Sequence, residues 1–233
     1  MASKRVFSNL LSEFVRYLVS RNHQDDKRIP PLSELSKELN ISVARLREQM
    51  EVARSLGFVE ARPRVGISRL PYSLRPALQQ SLAYAIEIEP DSYHEFANLR
   101  NHLEVSYWYE AVSKLTLEDK EELQDIVISA MEKLGRKPVE IPHIEHKKLH
   151  LLIYSRIDNP FTSSILETYW DLYEIEGLDR FRNLDYLQRL WSYHDLIVKS
   201  ILDGEYEKGY QVLKEHLNLI YQRIKPLRKF GFE

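Results

Sequence analysis

The chain has 233 residues, 43% of them hydrophobic and 29% charged, with a formal net charge of −2. That is the composition of a globular protein long enough for one large domain or two smaller ones, and only 7 glycines favour a mostly helical chain. With no cysteine the chain can form neither disulfides nor thiolate metal sites, which fits a reducing cytoplasm.

In residues 1–20 the positions Phe7, Leu10, Leu11, Phe14 and Leu18 recur at helical spacing. Glu13 and Arg16 interrupt the apolar run, so an amphipathic helix is expected here rather than a signal peptide. No stretch is long and apolar enough for a membrane span, and a cytoplasmic protein is expected.

Residues 30–66 carry the densest local information. After Pro30-Pro31, Leu32, Leu35 and Leu39 share one helix face, and Asn40-Ile41 makes a tight connection. Ser42 is placed to cap a second helix, in which Leu46, Met50, Ala53 and Leu56 recur until Gly57 stops it. Two short helices with so brief a turn must cross steeply, which predicts a helix-turn-helix. Phe58 to Arg62 then reads as a strand, Pro63-Arg64-Val65-Gly66 as its turn, and Ile67 to Leu70 as the returning strand of a β-wing. Ser42, Val43, Arg45 and Arg47 lie off the Leu46/Met50 stripe, where a recognition helix meets base edges and phosphates. Arg62, Arg64 and Arg69 on the wing suit a phosphate backbone or a narrow minor groove. The bland alternative is a solvated helical hairpin with ordinary surface arginines.

Charge divides the chain. Residues 1–75 hold 14 Lys and Arg against 8 Asp and Glu, leaving 19 against 27 for the rest of the totals of 33 and 35. A basic N-terminal part facing nucleic acid accounts for that asymmetry. The boundary is expected at the linker Pro71 to Pro76, giving a domain at 1–75 and another at 76–233.

Beyond the linker helical periodicity dominates. Helices are expected at about 76–88, 91–115, 117–135, 142–157, 161–175, 182–202 and 205–224. Their short connections favour an antiparallel all-helical bundle of six or seven helices. The aromatic groups Tyr107-Trp108-Tyr109 and Tyr169, Trp170 and Tyr173 are read mainly as core, and the basic tail from Arg223 to Lys229 as a solvated end.

Five of the 8 histidines, His143, His146, His150, His194 and His216, lie in the second half. His146 and His150 are four apart, hence about 40° apart on one helix face, which lets two imidazoles share an ion. His194 and His216 fall on the last two helices, which an Asp203-Gly204 turn would set side by side. Imidazole suits Zn, Ni, Cu or Fe. The other reading is a set of polar core histidines. A zincin-type hydrolase needs His-Glu-x-x-His, but Lys147 follows His146. The His194-Asp195 pair is similar to that of helical metal phosphohydrolases, yet Asp195 points about 100° away from His194 on a helix. Catalysis is therefore not expected.

The winged-helix segment resembles the GntR family of bacterial transcription regulators. Ser42, Leu46, Arg47, Glu48, Met50, Gly57, Val59 and the wing glycine Gly66 fall on that family's pattern, while Ser33 and Val43 stand where it commonly has arginine. Arg45 is the candidate to supply part of that charge. The helical half resembles the FCD domain of FadR-like members in Leu99-Arg100-Asn101-His102-Leu103-Glu104, His150, Asn159-Pro160, His194 and His216. The resemblance implies a ligand-responsive, dimeric regulator of double-stranded, pseudo-palindromic operator DNA. It implies metal ligands at His146 (an aspartate in the family), His150, His194 and His216, with Zn or Ni as the expected ion. It also implies a small carboxylate effector held by Arg100; an internal Arg100–Glu104 salt bridge is the alternative. A DNA-binding protein whose helical domain only dimerises is the runner-up.

Overall fold

The computed structural model describes residues 9–22, 27–175 and 183–224, with side chains to residue 219; Phe7 and most of the basic tail lie outside them. The chain divides into two compact units, residues 1–77 and 78–233. Among the described residues, no helix is long and apolar enough to cross a membrane.

The first unit is a winged helix. Helix α1 (Glu13–Ser20) is capped by the Ser12 side chain, which accepts from the Val15 N–H, so the turn before it is outside the α-helix. Helix α2 (Leu32–Leu39) ends where Asn40 takes a left-handed conformation, φ 52°, and the Ile41 N–H reaches back to the Ser36 carbonyl. Ser42 then caps α3 (Val43–Ser55) by accepting from the Arg45 N–H at 3.2 Å. Helix α3 stops at Gly57, φ 76°, with the Phe58 N–H on the Ala53 carbonyl and the Gly57 N–H on Arg54. Phe14, Leu18, Leu35, Leu46, Met50, Ala53 and Val59 bury together against one another.

The wing is β2 (Val59–Arg62) paired antiparallel with β3 (Gly66–Arg69), Arg62 opposite Gly66. A third strand, β1 (Arg28–Ile29), adds to the other edge of β3 in the order β1-β3-β2. Sequence periodicity gave no sign of it, because two residues carry no alternation.

The second unit is all helical: α4 (Arg75–Ile88, begun in the first unit), α5 (Ser92–Ser113), α6 (Leu117–Gly135), α7 (His143–Ile153), α8 (Pro160–Ile175), α9 (Leu184–Leu202) and α10 (Tyr206–Ile224). The chief packing partners are α9 with α10, α6 with α9, α5 with α10, and α6 with α7. A capping box between Thr116 and Asp119 starts α6. Helix α7 ends four residues before its expected limit. Tyr154 and Ile157 are buried there, and the Tyr154 hydroxyl donates to the Glu104 carbonyl.

One large core gathers Trp108, Leu123, Val127, Leu149, Ile153, Trp191, Ile197, Ile201 and Leu213; a second gathers Tyr93, Phe96, Tyr169, Trp170 and Tyr173. The aromatic groups of α5 and α8 are thus mostly core, although Tyr109 is exposed. The buried imidazoles of α7 and α9 face the Trp170 and Trp191 rings of these two cores.

Candidate functional site

Four histidines meet inside the helical unit. His146 and His150 are one turn apart on α7, so both point from the same face. His194 lies nine residues before Asp203, and His216 lies ten beyond the start of α10. At 1.5 Å per residue each is about 14 Å from the connecting turn, and therefore at one depth. The turn itself is closed by Gly204 at φ 71°, with the Glu205 N–H on the Ser200 carbonyl. Ligand atoms of His146, His150, His194 and His216 all lie within 4.8 Å of one another, and none of these residues is more than 4% exposed.

Three of the rings converge closely. The Nε2 atoms of His150 and His216 are 3.2 Å apart, those of His194 and His150 3.3 Å, and those of His194 and His216 3.1 Å. Burial pushes the pKa of His150 down despite the raising effect of Glu104, and burial with neighbouring imidazoles pushes His194 and His216 well down. These rings are therefore neutral near pH 7, each with one bare nitrogen.

Hydrogen bonding alone cannot satisfy that triangle. The His150 Nδ1 stands 3.1 Å from Glu104 Oε2, and the proton it donates leaves Nε2 as a lone pair. Each remaining N–H can point at one neighbour only, and a protonated Nε2 offers no lone pair in return, so at least one of the three contacts is left without a hydrogen bond. The Nδ1 atoms of His194 and His216 meanwhile have no hydrogen-bond partner. An ion about 2 Å from each nitrogen would space tetrahedral ligands about 3.3 Å apart and octahedral neighbours about 2.8 Å. The observed separations of 3.1–3.3 Å fall in that range. All-nitrogen donors of this kind fit a divalent transition metal.

Arg100 and Glu104, successive turns of α5, form a second layer. Arg100 Nη2 is 2.7 Å from Glu104 Oε1, and both side chains are wholly buried. The guanidinium lies over the Tyr169 and Trp170 rings, 4.6 and 5.4 Å from their centroids. Burial opposes ionisation of Glu104, but Arg100 and His150 outweigh it and hold the carboxyl below its ordinary range. The Glu104–His150 bond was not foreseen; the i+4 spacing exposed the Arg100–Glu104 pair, but nothing in the sequence tied Glu104 to α7.

Other polar groups turn away from the cluster. Asp195 pairs with Lys199 at 2.7 Å, and Lys147 with Asp171 and Glu174. His143 is exposed at the start of α7.

In the winged helix, Arg47 is exposed on α3. Arg45 pairs with Glu13 of α1 at 2.8 Å, and Gln49 holds the other Glu13 oxygen. The Ser42 hydroxyl is engaged in its cap. Arg62 pairs with Glu60, while Arg64 sits exposed in the wing turn at φ 65°, before Gly66 at φ 101°. Arg69 departs from the expected wing cluster. It ends β3 opposite Val59, at the base of the hairpin, and its guanidinium donates to the Arg21 carbonyl.

The FCD domain family model matches residues 95–219. Among solved structures, Streptococcus agalactiae GntR aligns over 90% of this chain and 96% of its own, at 14% identity and TM-score 0.61. Lar, which controls expression of the Listeria monocytogenes agr system, aligns over 95% and 98% at 13% identity and TM-score 0.50. E. coli McbR/YncC aligns over 94% and 98% at 19% identity and TM-score 0.49. No curated protein matches the chain. With over half its length in the FCD match, the chain belongs to the FCD domain family, and it shares its winged helix and helical bundle with the fold of the Streptococcus agalactiae GntR structure.

Proposed function

We propose that this protein is a cytoplasmic, homodimeric, ligand-responsive transcription regulator. Its winged helix, residues 1–75, reads a pseudo-palindromic operator, and its helical domain, 76–233, binds the effector and dimerises. Arg47 from α3 and Arg64 from the wing turn, both exposed, supply the basic contacts, with Ser42, Arg45, Arg62 and the Gly66 backbone beside them. Arg45 would exchange Glu13 for a phosphate, so its contribution is net of a broken surface pair.

His146, His150, His194 and His216 would hold Zn or Ni. The carrying observation is the three Nε2 atoms at 3.1–3.3 Å, a spacing that an ion satisfies and protons do not. When bound, the metal supplies a Lewis-acidic centre for an anionic ligand. A small carboxylate effector fits that charge, with Arg100 as its second anchor. Because Arg100 already holds Glu104, the effector must compete with an internal carboxylate. Effector binding then biases two arrangements of the dimer with different operator affinity.

The internal Arg100–Glu104 ion pair also favours a second reading, in which the helical domain only dimerises. Metal content decides between them. Protein purified without chelator or a histidine tag should carry about one transition-metal ion per chain, absent from His150→Ala/His194→Ala. Small carboxylates should then raise the melting temperature of the loaded wild type and change its affinity for operator DNA. Wild type free of metal, and not stabilised by added Zn or Ni, would leave the dimerisation reading.

A further inference from the structure

Glu104 has one oxygen on each of two partners: Oε1 is 2.7 Å from Arg100 Nη2, and Oε2 is 3.1 Å from His150 Nδ1. Its helix is tied to the end of α7 by the Tyr154 hydroxyl, which donates to the Glu104 carbonyl at 2.8 Å. Arg100 is fixed in turn by the Tyr169 and Trp170 faces and by Asn101 Oδ1, which accepts from Nη1 at 3.2 Å. The carboxylate can therefore neither swing away nor turn over without unpairing a buried charge.

Its position has two chemical consequences. By accepting the Nδ1 proton, Glu104 fixes the tautomer in which the His150 Nε2 lone pair faces the Nε2 atoms of His194 and His216. It is also the carboxylate that touches the cluster among the described residues. Glu145, beside His146 in the chain, is held by Lys133 and Ser129, and Asp195 by Lys199. Imidazole ligands bring no negative charge to offset a buried dication, so Glu104 supplies the negative charge nearest to it. Arg100 cancels part of that charge.

We propose that Glu104 is a positioning residue that orients His150 and raises the cluster's affinity for a divalent cation, and that Arg100 lowers that affinity by drawing on the same carboxylate. This rests on the metal reading above. It separates from a plain buried salt bridge by sign: a purely structural pair makes both single substitutions harmful in the same way, whereas here their effects on metal affinity oppose each other.

The test uses the full-length protein with Zn as probe, its dissociation constant read by competition against a chelator. Arg100→Met/Glu104→Leu removes both charges together and leaves no unmatched buried ion, so it serves as the variant that keeps the fold, checked by circular dichroism. Glu104→Gln retains an acceptor for the Nδ1 proton but not the charge. We expect the double variant to bind Zn about 10–100-fold more weakly than wild type, Glu104→Gln to bind more weakly than wild type, and Arg100→Met to bind more tightly. Nitrogen NMR of the metal-free imidazoles should show His150 protonated on Nδ1 in wild type and Glu104→Gln, and mixed tautomers in the double variant. Wild-type Zn affinity in the folded double variant would overturn the role of Glu104, as would weaker binding by Arg100→Met. A wild type that takes up no Zn would overturn the metal reading itself, and this inference with it.

Discussion

The Nε2 atoms of His194 and His216 lie 3.1 Å apart, although their helices are joined through a turn about 14 Å away. One N–H···N bond can join that pair, but with His150 Nε2 beside both nitrogens at least one contact of the three is left unbridged by a proton. Metal-free protein should therefore be stabilised by Zn or Ni, by about 2.7 kcal/mol at one hundred times the dissociation constant. His194→Ala and His216→Ala should each abolish the increment. A thermal melt with and without metal measures it, and equal shifts in wild type and both variants would remove these residues from the site.

Close packing of α10 depends on one glycine. A Cβ at Gly209 would stand 2.6 Å from Trp108 Cζ2 and 3.2 Å from Ser200 Cβ. Trp108 cannot step aside, since it is fully buried and its indole N–H donates to the Tyr206 carbonyl at 2.8 Å. Overpacking of this kind costs about 1–3 kcal/mol, against a helix-propensity gain of about 1 kcal/mol. Gly209→Ala should thus lower stability in urea unfolding despite putting alanine in a helix, and a rise would contradict the packing described.

Arg64 sits at φ 65° in the wing turn, a conformation in which glycine avoids the strain of a side chain. Arg64→Gly should then leave stability unchanged or raise it by up to about 1 kcal/mol. If the side chain meets phosphate, operator affinity should fall and the slope of affinity against salt should decrease by about one counterion. Anisotropy titrations at several salt concentrations read both quantities. A loss of stability together with affinity would point to the turn itself rather than to a DNA contact.

Asp119 accepts from the Nε and Nη2 of Arg156 at 2.8 and 2.9 Å, and closes the α6 capping box. The Arg156 bonds, followed by the Thr116 backbone bond, hold its pKa at about 2, against an ordinary value of 3.8. Between those values the unfolded chain binds more protons than the folded one, so stability falls as pH falls. The contribution is complete above about pH 4 and lost as pH descends through about 2. Asp119→Asn should be less stable at pH 7, by about 1–2 kcal/mol given the half-exposed arginine, and should lack this component of the acid slope. Denaturant melts from pH 2 to pH 7 would show it; parallel curves for the two proteins would refute it.

The parts of this molecule that were legible in advance are those with local causes. The Ser42 cap, the Gly57 stop and the wing turn each depend on a few neighbouring residues and on backbone sterics. Helix bounds followed from proline, glycine and capping signals to within a few residues, except at α7, where burial of Tyr154 and Ile157 ends the helix early. Strand β1 was invisible because its two residues pair with β3 across nearly forty positions. Arg69 falls at the base of the hairpin because it lies three positions along β3 from the tip at Gly66.

What the sequence determined by itself was the inventory: two helices and a basic wing, a run of amphipathic helices, and histidines at spacings and family positions that suit a shared ion. Periodicity and caps carry that information because they act over one or two helical turns. Tertiary structure decided the rest. The approach of α5 to α7 brought Glu104 to His150, the α8 rings left Arg100 without exposure, and the convergence of α7, α9 and α10 set three Nε2 atoms in one triangle. Those are relations between residues up to 66 positions apart, governed by interhelical approach, which no local pattern encodes.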